Sequence, residues 1–171
     1  MLTNEWIAGS ADLTVPLKLR DEVFTKEQGA TAEDHDQLDA QALHLVLYDD
    51  DVPIATGRIY HDGHTFCIGR CCVKKEERGT GIGDLLIKLL LLKTFEYNPS
   101  QIRIHAQTQA QDFYRRYGFT ADGEPFLEAG IPHIEMYVDK EKLLIPSQCG
   151  KVRHFEDFFE PAPGTAGEAP A

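Results

Sequence analysis

Short apolar runs and polar breaks alternate along the chain, and the length and spacing of each run sort it into strand or helix. Residues 2–7 read as a first strand. Leu17, Val23 and Phe24 then lie within an amphipathic helix that Pro16 can open and Gly29 can close. Residues 30–40, ATAEDHDQLDA, are polar and acidic and read as a loop. Two strands follow, 43–48 and 53–60, joined by a turn at 49–52, and Asp62-Gly63 marks a hairpin into a third strand, 65–73. Leucines almost encircle a long helix over about 82–96, so it should be buried on most sides. Residues 101–106 read as a strand, 109–117 as a short helix stopped by Gly118, and 119 onward and 133–138 as two closing strands. The order is β-α-βββ-α-β-α-ββ, and a meander feeding a crossover helix implies a mixed α/β (α+β) sheet.

Composition adds limits. The chain has 171 residues, 42% hydrophobic and 26% charged, which suits one domain with a real core. Lys and Arg number 17 against 28 Asp and Glu, a net charge of −11. Such acidity argues against general affinity for nucleic acid or for an anionic membrane. An anionic ligand must then be held by a local basic patch or by backbone N–H groups. No apolar run reaches the roughly 18 residues of a membrane span. MLTNEWIAGSADLTV lacks the basic start and apolar stretch of a signal peptide, and a cytoplasmic protein is expected. Of four cysteines, Cys67, Cys71 and Cys72 cluster while Cys149 stands apart. Adjacent Cys71 and Cys72 point to opposite faces of a strand, which suits neither one bridge nor one metal, so reduced core thiols and no metal site are expected. From Glu160 the sequence EPAPGTAGEAPA has the composition of a disordered tail. The domain is expected to cover 1–144, with 145–171 an appendage whose segment VRHFEDFF, 152–159, can dock on the body or on a second subunit.

Chemistry concentrates in Arg78-Gly79-Thr80-Gly81-Ile82-Gly83, between a strand and a helix. Alternate glycines let the backbone curl with its N–H groups inward, and the helix N-terminus adds partial positive charge; together they suit a diphosphate. Lys74, Lys75 and Arg78 supply a basic patch. The loop lacks the Lys and Ser/Thr of a nucleotide-hydrolysing P-loop. It departs from a dinucleotide fingerprint in its third glycine and in the antiparallel hairpins before it. A plain turn capping a core helix is the remaining alternative.

Arg78–Gly83 also meets every fixed position of [QR]-x-x-G-x-[GA], the pyrophosphate loop of the GCN5-related N-acetyltransferases, and the chain resembles that family over about residues 2–140. Phe113-Tyr114-Arg115-Arg116-Tyr117-Gly118-Phe119 resembles the family's F-Y-x-x-x-G-F signature. LRDEVFTKEQG (19–29), HAQTQAQDFY (105–114) and EAGIPHIEM (128–136) are similar to a bacterial YjcF-like or ElaA-like subgroup. The resemblance implies a mostly antiparallel sheet of about six to seven strands, opened into a V between strands 65–73 and 101–106, where acetyl-CoA lies. It places pantetheine on the backbone of Cys71, Cys72 and Val73, and pyrophosphate on Gly79, Thr80, Gly81, Ile82 and Gly83 beside Arg78. It puts Tyr114 where many members keep a general acid for the departing thiolate.

An attacking amine must be neutral, so a base or a water chain to one is needed if it arrives protonated. Glu27, His44, His105 and His133 are the candidates; Glu27 and His133 lie near where the family's acceptor site opens. Tyr117, on the same short helix as Tyr114, reads as core. His61 and His64 flank a hairpin tip and read as solvated rather than as a metal pair. Glu33, Asp34, Asp36 and Asp39 read most simply as a solvated loop, or as a rim attracting a cationic acceptor. These features imply an N-acetyltransferase moving acetyl from acetyl-CoA to a primary amine in a ternary complex, as a homodimer. The alternatives are a non-catalytic acyl-CoA binder or sensor, and an interaction module whose glycine loop is only a turn.

Overall fold

The expected element order holds through the computed structural model, in which residues 1–31, 34–146 and 152–154 are described. β1 (Leu2–Ala8), β2 (Leu43–Asp49), β3 (Val52–His61), β4 (Phe66–Val73), β5 (Gln101–Gln107), β6 (Thr120–Glu128) and β7 (Ile131–Asp139) make one seven-stranded sheet, ordered β1-β2-β3-β4-β5-β7-β6. Neighbours pair antiparallel except β4 with β5, the one parallel contact. A helix lies between those two strands in sequence, as a parallel crossover requires: α2 (Ile82–Phe95), which packs on β3 and β4. Leu86, Leu90 and Leu91 of α2 are at most 1% exposed against Leu45, Ile68, Ile102 and Met136. Cys71 packs with this core, whereas Cys72 packs with Val23 and Phe24, so adjacent thiols do take opposite faces. No helix among the described residues is long and apolar enough to cross a membrane.

Local chemistry adjusts several expected boundaries. The first helix is α-helical only over α1 (Thr14–Arg20) and widens into a π-helical stretch over Asp21–Glu27. That wider winding buries the consecutive residues Val23 and Phe24 together. The β3–β4 hairpin turns through four residues, 62–65, one place later than expected. The Asp62 carboxylate accepts the backbone N–H groups of His64 and Thr65, each at 2.8 Å, and Gly63 takes φ +97°. After α3 (Gln111–Arg115), Tyr117 is fully buried. Leu143 and Ile145 are also buried, so the core reaches one residue past the expected limit at 144. β8 (Leu144–Pro146) pairs with β9 (Val152–His154) in a separate ribbon. Cys149, the aromatic residues 155–159 and the tail lie outside the described residues.

Candidate active site

β4 and β5 pair only from Phe66 opposite Ile102 to Ile68 opposite Ile104, and then part. A bulge in β4 accompanies the parting. Gly69 faces Arg58 and Cys72 faces Thr56, so Gly57 alone opposes Arg70 and Cys71, and Arg70 takes φ +51°. A Cβ at Gly57 would lie 2.6 Å from Leu90 Cδ1, so any larger residue here would have to displace the end of that buried side chain. Past the bulge, Cys71, Cys72 and Val73 keep β3 on one side and have no strand partner on the other. A cavity of about 500 Å³ occupies the opening. Gly83, Leu86, Phe113 and Tyr114 line one part of it, and Arg58, Arg70, His105, Glu128 and His133 another.

The glycine loop closes one end. Gly79 and Gly81 have φ +77° and +90°, and a Cβ on either would meet nothing within 4 Å. Their outer side is open space, and the first N–H groups of α2 lack intrahelical acceptors. Two of the three members of the expected basic patch are already paired, and Lys75 stays exposed. Arg78 gives Nη1 and Nη2 to Glu27 at 2.5 and 2.8 Å and Nε to the Val73 carbonyl at 3.1 Å, while Lys74 pairs with Glu22 at 3.5 Å. Arg78 is a tie between the first helix and the loop. Glu27 is corrected with it: the Arg78 hydrogen bond holds its carboxyl below the usual range, which suits an anchor and not a base.

Tyr114 sits between the aromatic rings of Phe113 and Phe119, and its hydroxyl meets the Cys71 thiol. Burial, with Cys71 second, raises the phenol well above 10, and burial pushes the Cys71 thiol up to about 12. Tyr114 is therefore a protonated donor at neutral pH. Tyr117 instead donates its hydroxyl to Asp84 of α2 and is structural.

The acidic loop is neither a solvated loop nor a free rim: three arginines from the strands and the first helix claim it. Arg20 bridges Asp34 (3.0 Å) and Asp39 (2.6 Å). Arg58 bridges Asp39 (2.6 Å) and Asp36 (2.6 and 2.8 Å); its sealed Nε has no hydrogen-bond partner. Arg70 continues the chain from Asp36 (3.1 Å) to Glu128 (3.0 Å). Glu128 then meets His105 Nδ1 at 3.0 Å and faces His133 Nε2 at 3.7 Å. Burial alone would raise the Glu128 carboxyl, but the His105 hydrogen bond and the Arg70 charge override it and hold it at about 2. His133 Nδ1 lies 2.6 Å from the Ile131 carbonyl. A carbonyl only accepts, so Nδ1 carries a proton, and Nε2 is the ring nitrogen turned toward Glu128. His44 is removed from the candidates: it is 1% exposed and its Nε2 lies 3.0 Å from the Asp39 carbonyl. His61 packs edge-on against Phe66 at the hairpin tip. Glu33 lies outside the described residues.

Sequence reasoning missed Arg20, Arg58, Arg70 and the role of Glu128. The available signal was an arginine in the middle of an apolar strand, as in ATGRIYH, followed by a run of aspartates elsewhere.

A parted parallel pair, a glycine loop opening the crossover helix and a tyrosine over the gap define a class, and the comparisons agree. The family model described as Acetyltransferase (GNAT) domain matches residues 9–140. The uncharacterized N-acetyltransferase YjcF of Bacillus subtilis (strain 168) is 37% identical over 123 residues, 71% of this chain and 88% of that protein. The crystal structure of an acyl-CoA N-acyltransferase from Pseudomonas aeruginosa superposes with TM-score 0.73 at 30% identity, covering 80% of this chain and 99% of that one. Escherichia coli ElaA gives TM-score 0.72 at 28% identity over the same shares. The chain belongs to the GNAT acetyltransferase family, in its YjcF/ElaA-like branch.

Proposed function

We propose that the protein transfers an acetyl group from acetyl-CoA to a primary amine by direct attack within a ternary complex, in the cytoplasm, where its cysteines stay reduced. The observation that carries this reading is the cavity between β4 and β5. It is lined by Arg78 and Gly83 of the glycine loop, by Tyr114 and by His133. The pantetheine takes the unpaired backbone of Cys71, Cys72 and Val73, and the diphosphate takes the N–H groups of Gly79, Thr80, Gly81, Ile82 and Gly83. Arg78 and Glu27 brace that loop from behind.

His133 Nε2 takes a proton from the incoming ammonium, and the freed amine attacks the thioester carbonyl carbon. The carbon–sulfur bond breaks as the amide forms, the attacking nitrogen gives its second proton to solvent, and Tyr114 protonates the departing thiolate. Solvent restores the phenol proton, and the net reaction of acetyl-CoA with R–NH₃⁺ gives amide, CoA thiol and one proton. Holding both reactants in one cavity supplies much of the rate, since no covalent enzyme intermediate is needed. Thiol release from acetyl-CoA with a panel of primary amines tests the reading. Amine-dependent release supports it; tight CoA binding with no release from any amine makes the protein a binder or sensor instead.

A further inference from the structure

Charges around the acceptor half of the cavity are arranged for one kind of amine. Every guanidinium lining the cavity is already paired: Arg58 with Asp36 and Asp39, Arg70 with Asp34, Asp36 and Glu128, and Arg78 with Glu27. His105 is turned onto Glu128 as well. Hence no described cationic side chain of the cavity is left to receive a carboxylate or phosphate on the acceptor.

Acceptor atoms, by contrast, are in surplus. The chain from Arg20 to Glu128 contains four carboxylates, Asp34, Asp36, Asp39 and Glu128, and three guanidinia, Arg20, Arg58 and Arg70. With neutral imidazoles it carries one net negative charge, and Glu128 is where it reaches the cavity. There the His133 ring, 10% exposed with Nδ1 on the Ile131 carbonyl, sets Nε2 3.7 Å from the carboxylate oxygen Oε2, and in the neutral ring that nitrogen is an acceptor. Two acceptors at that spacing cannot hydrogen-bond each other. One nitrogen with two N–H bonds can reach both at the ordinary ~2.9 Å. An ammonium satisfies the carboxylate with charge and the imidazole with a transferable proton. Val23, Phe24 and Ile131 lie on the same wall, beside the place where an alkyl or aryl stem would run.

We infer that the acceptor is an amine bearing no anionic group, which docks as its ammonium between Glu128 and His133, with Glu128 setting that specificity. This rests on the acetyl transfer proposed above. An α-amino acid would bring its carboxylate into a pocket whose cations are all taken, and an unpaired buried charge is heavily penalised.

The test compares putrescine and phenylethylamine with alanine and glutamate in a thiol-release assay, using wild type and Glu128→Gln. Acetyl-CoA binding is measured separately by calorimetry. Turnover of the carboxylate-free amines, with alanine and glutamate inactive, is expected. In Glu128→Gln the KM of the amines should rise roughly tenfold or more with acetyl-CoA affinity retained. The same substitution removes the carboxylate charge that faces Arg70 and the cavity, so activity toward alanine or glutamate should appear or increase; a merely structural Glu128 would not produce that reversal. Preference for an amino acid in the wild type, or an unchanged amine KM in the variant, overturns the inference alone. Absence of acetyl-CoA binding overturns the transfer reading, and this inference with it.

Discussion

In the proposed reaction two side chains divide the proton work at the level of single residues, and their surroundings give the reason for the division. Tyr114 is buried beside a thiol that is itself protonated, so nothing competes for its proton until a thiolate forms. Replacing Tyr114 with Phe keeps the ring against Phe113 and Phe119 and removes only the donor. kcat should fall by roughly 10²–10⁴ with little change in acetyl-CoA KM, and the loss should shrink for acyl donors with more acidic thiols. A wild-type kcat in single-turnover experiments would assign the hydroxyl to packing. His133 has one nitrogen fixed on the Ile131 carbonyl, which leaves the other in a set tautomer. In His133→Ala, kcat should drop by about 10² or more, and added imidazole should restore part of it. No rescue, together with an unchanged rate, would move the base to His105 or to solvent.

Elements place these residues, and they differ in how much the sequence reveals of them. The glycine loop was legible because its chemistry is local: positive φ at Gly79 and Gly81 follows from residue type, and a strand-to-helix junction follows from the flanking periodicity. For the same reason Tyr117 could be read as core beside Tyr114. The bulge at Arg70 was not legible, since it is a feature of the pairing between β3 and β4, opposite Gly57. Nor was the capture of Arg78 by Glu27, 51 residues away. A run of acids looks solvated until the strand arginines that face it are known. The loop makes its own prediction. Gly81→Val imposes a β-branched residue at φ +90° and fills the space left for a diphosphate, so acetyl-CoA KM should rise sharply. Unchanged affinity in a variant with native circular dichroism would remove the loop from the binding site.

Across the whole molecule, the net charge of −11 conceals an internal balance: carboxylates and guanidinia alternate from Arg20, through β3 and β4, to Glu128 at the cavity. The sheet also ends on β6, where Leu127 is 72% exposed, and a homodimer is the proposed state; a monomer mass in solution scattering at micromolar concentration would refute it. The ion chain predicts how the fold responds to acid. Burial raises the Asp39 carboxyl, but the hydrogen bond and charge of Arg20, with Arg58, override it and take it from 3.8 to about 2. Glu128 moves from 4.5 to about 2 in the same way. Both folded pKa values lie below the unfolded ones, so the native state binds fewer protons in this range, and stability falls as pH falls. The contribution is complete above about pH 5 and disappears progressively toward pH 2. For Asp39 alone it amounts to about 2 kcal/mol. Thermal unfolding should therefore show a Tm that is flat in the chain's contribution from pH 6 to 8 and declines below pH 5. Asp39→Asn leaves Arg20 and Arg58 without their shared carboxylate, so its Tm at pH 7 should be well below wild type. Its Tm should also change less steeply between pH 5 and 3, because one of the titrating groups is gone. A variant with the wild-type acid slope would mean that the ion chain does not link protonation to folding, and that the acid sensitivity arises at the surface carboxylates.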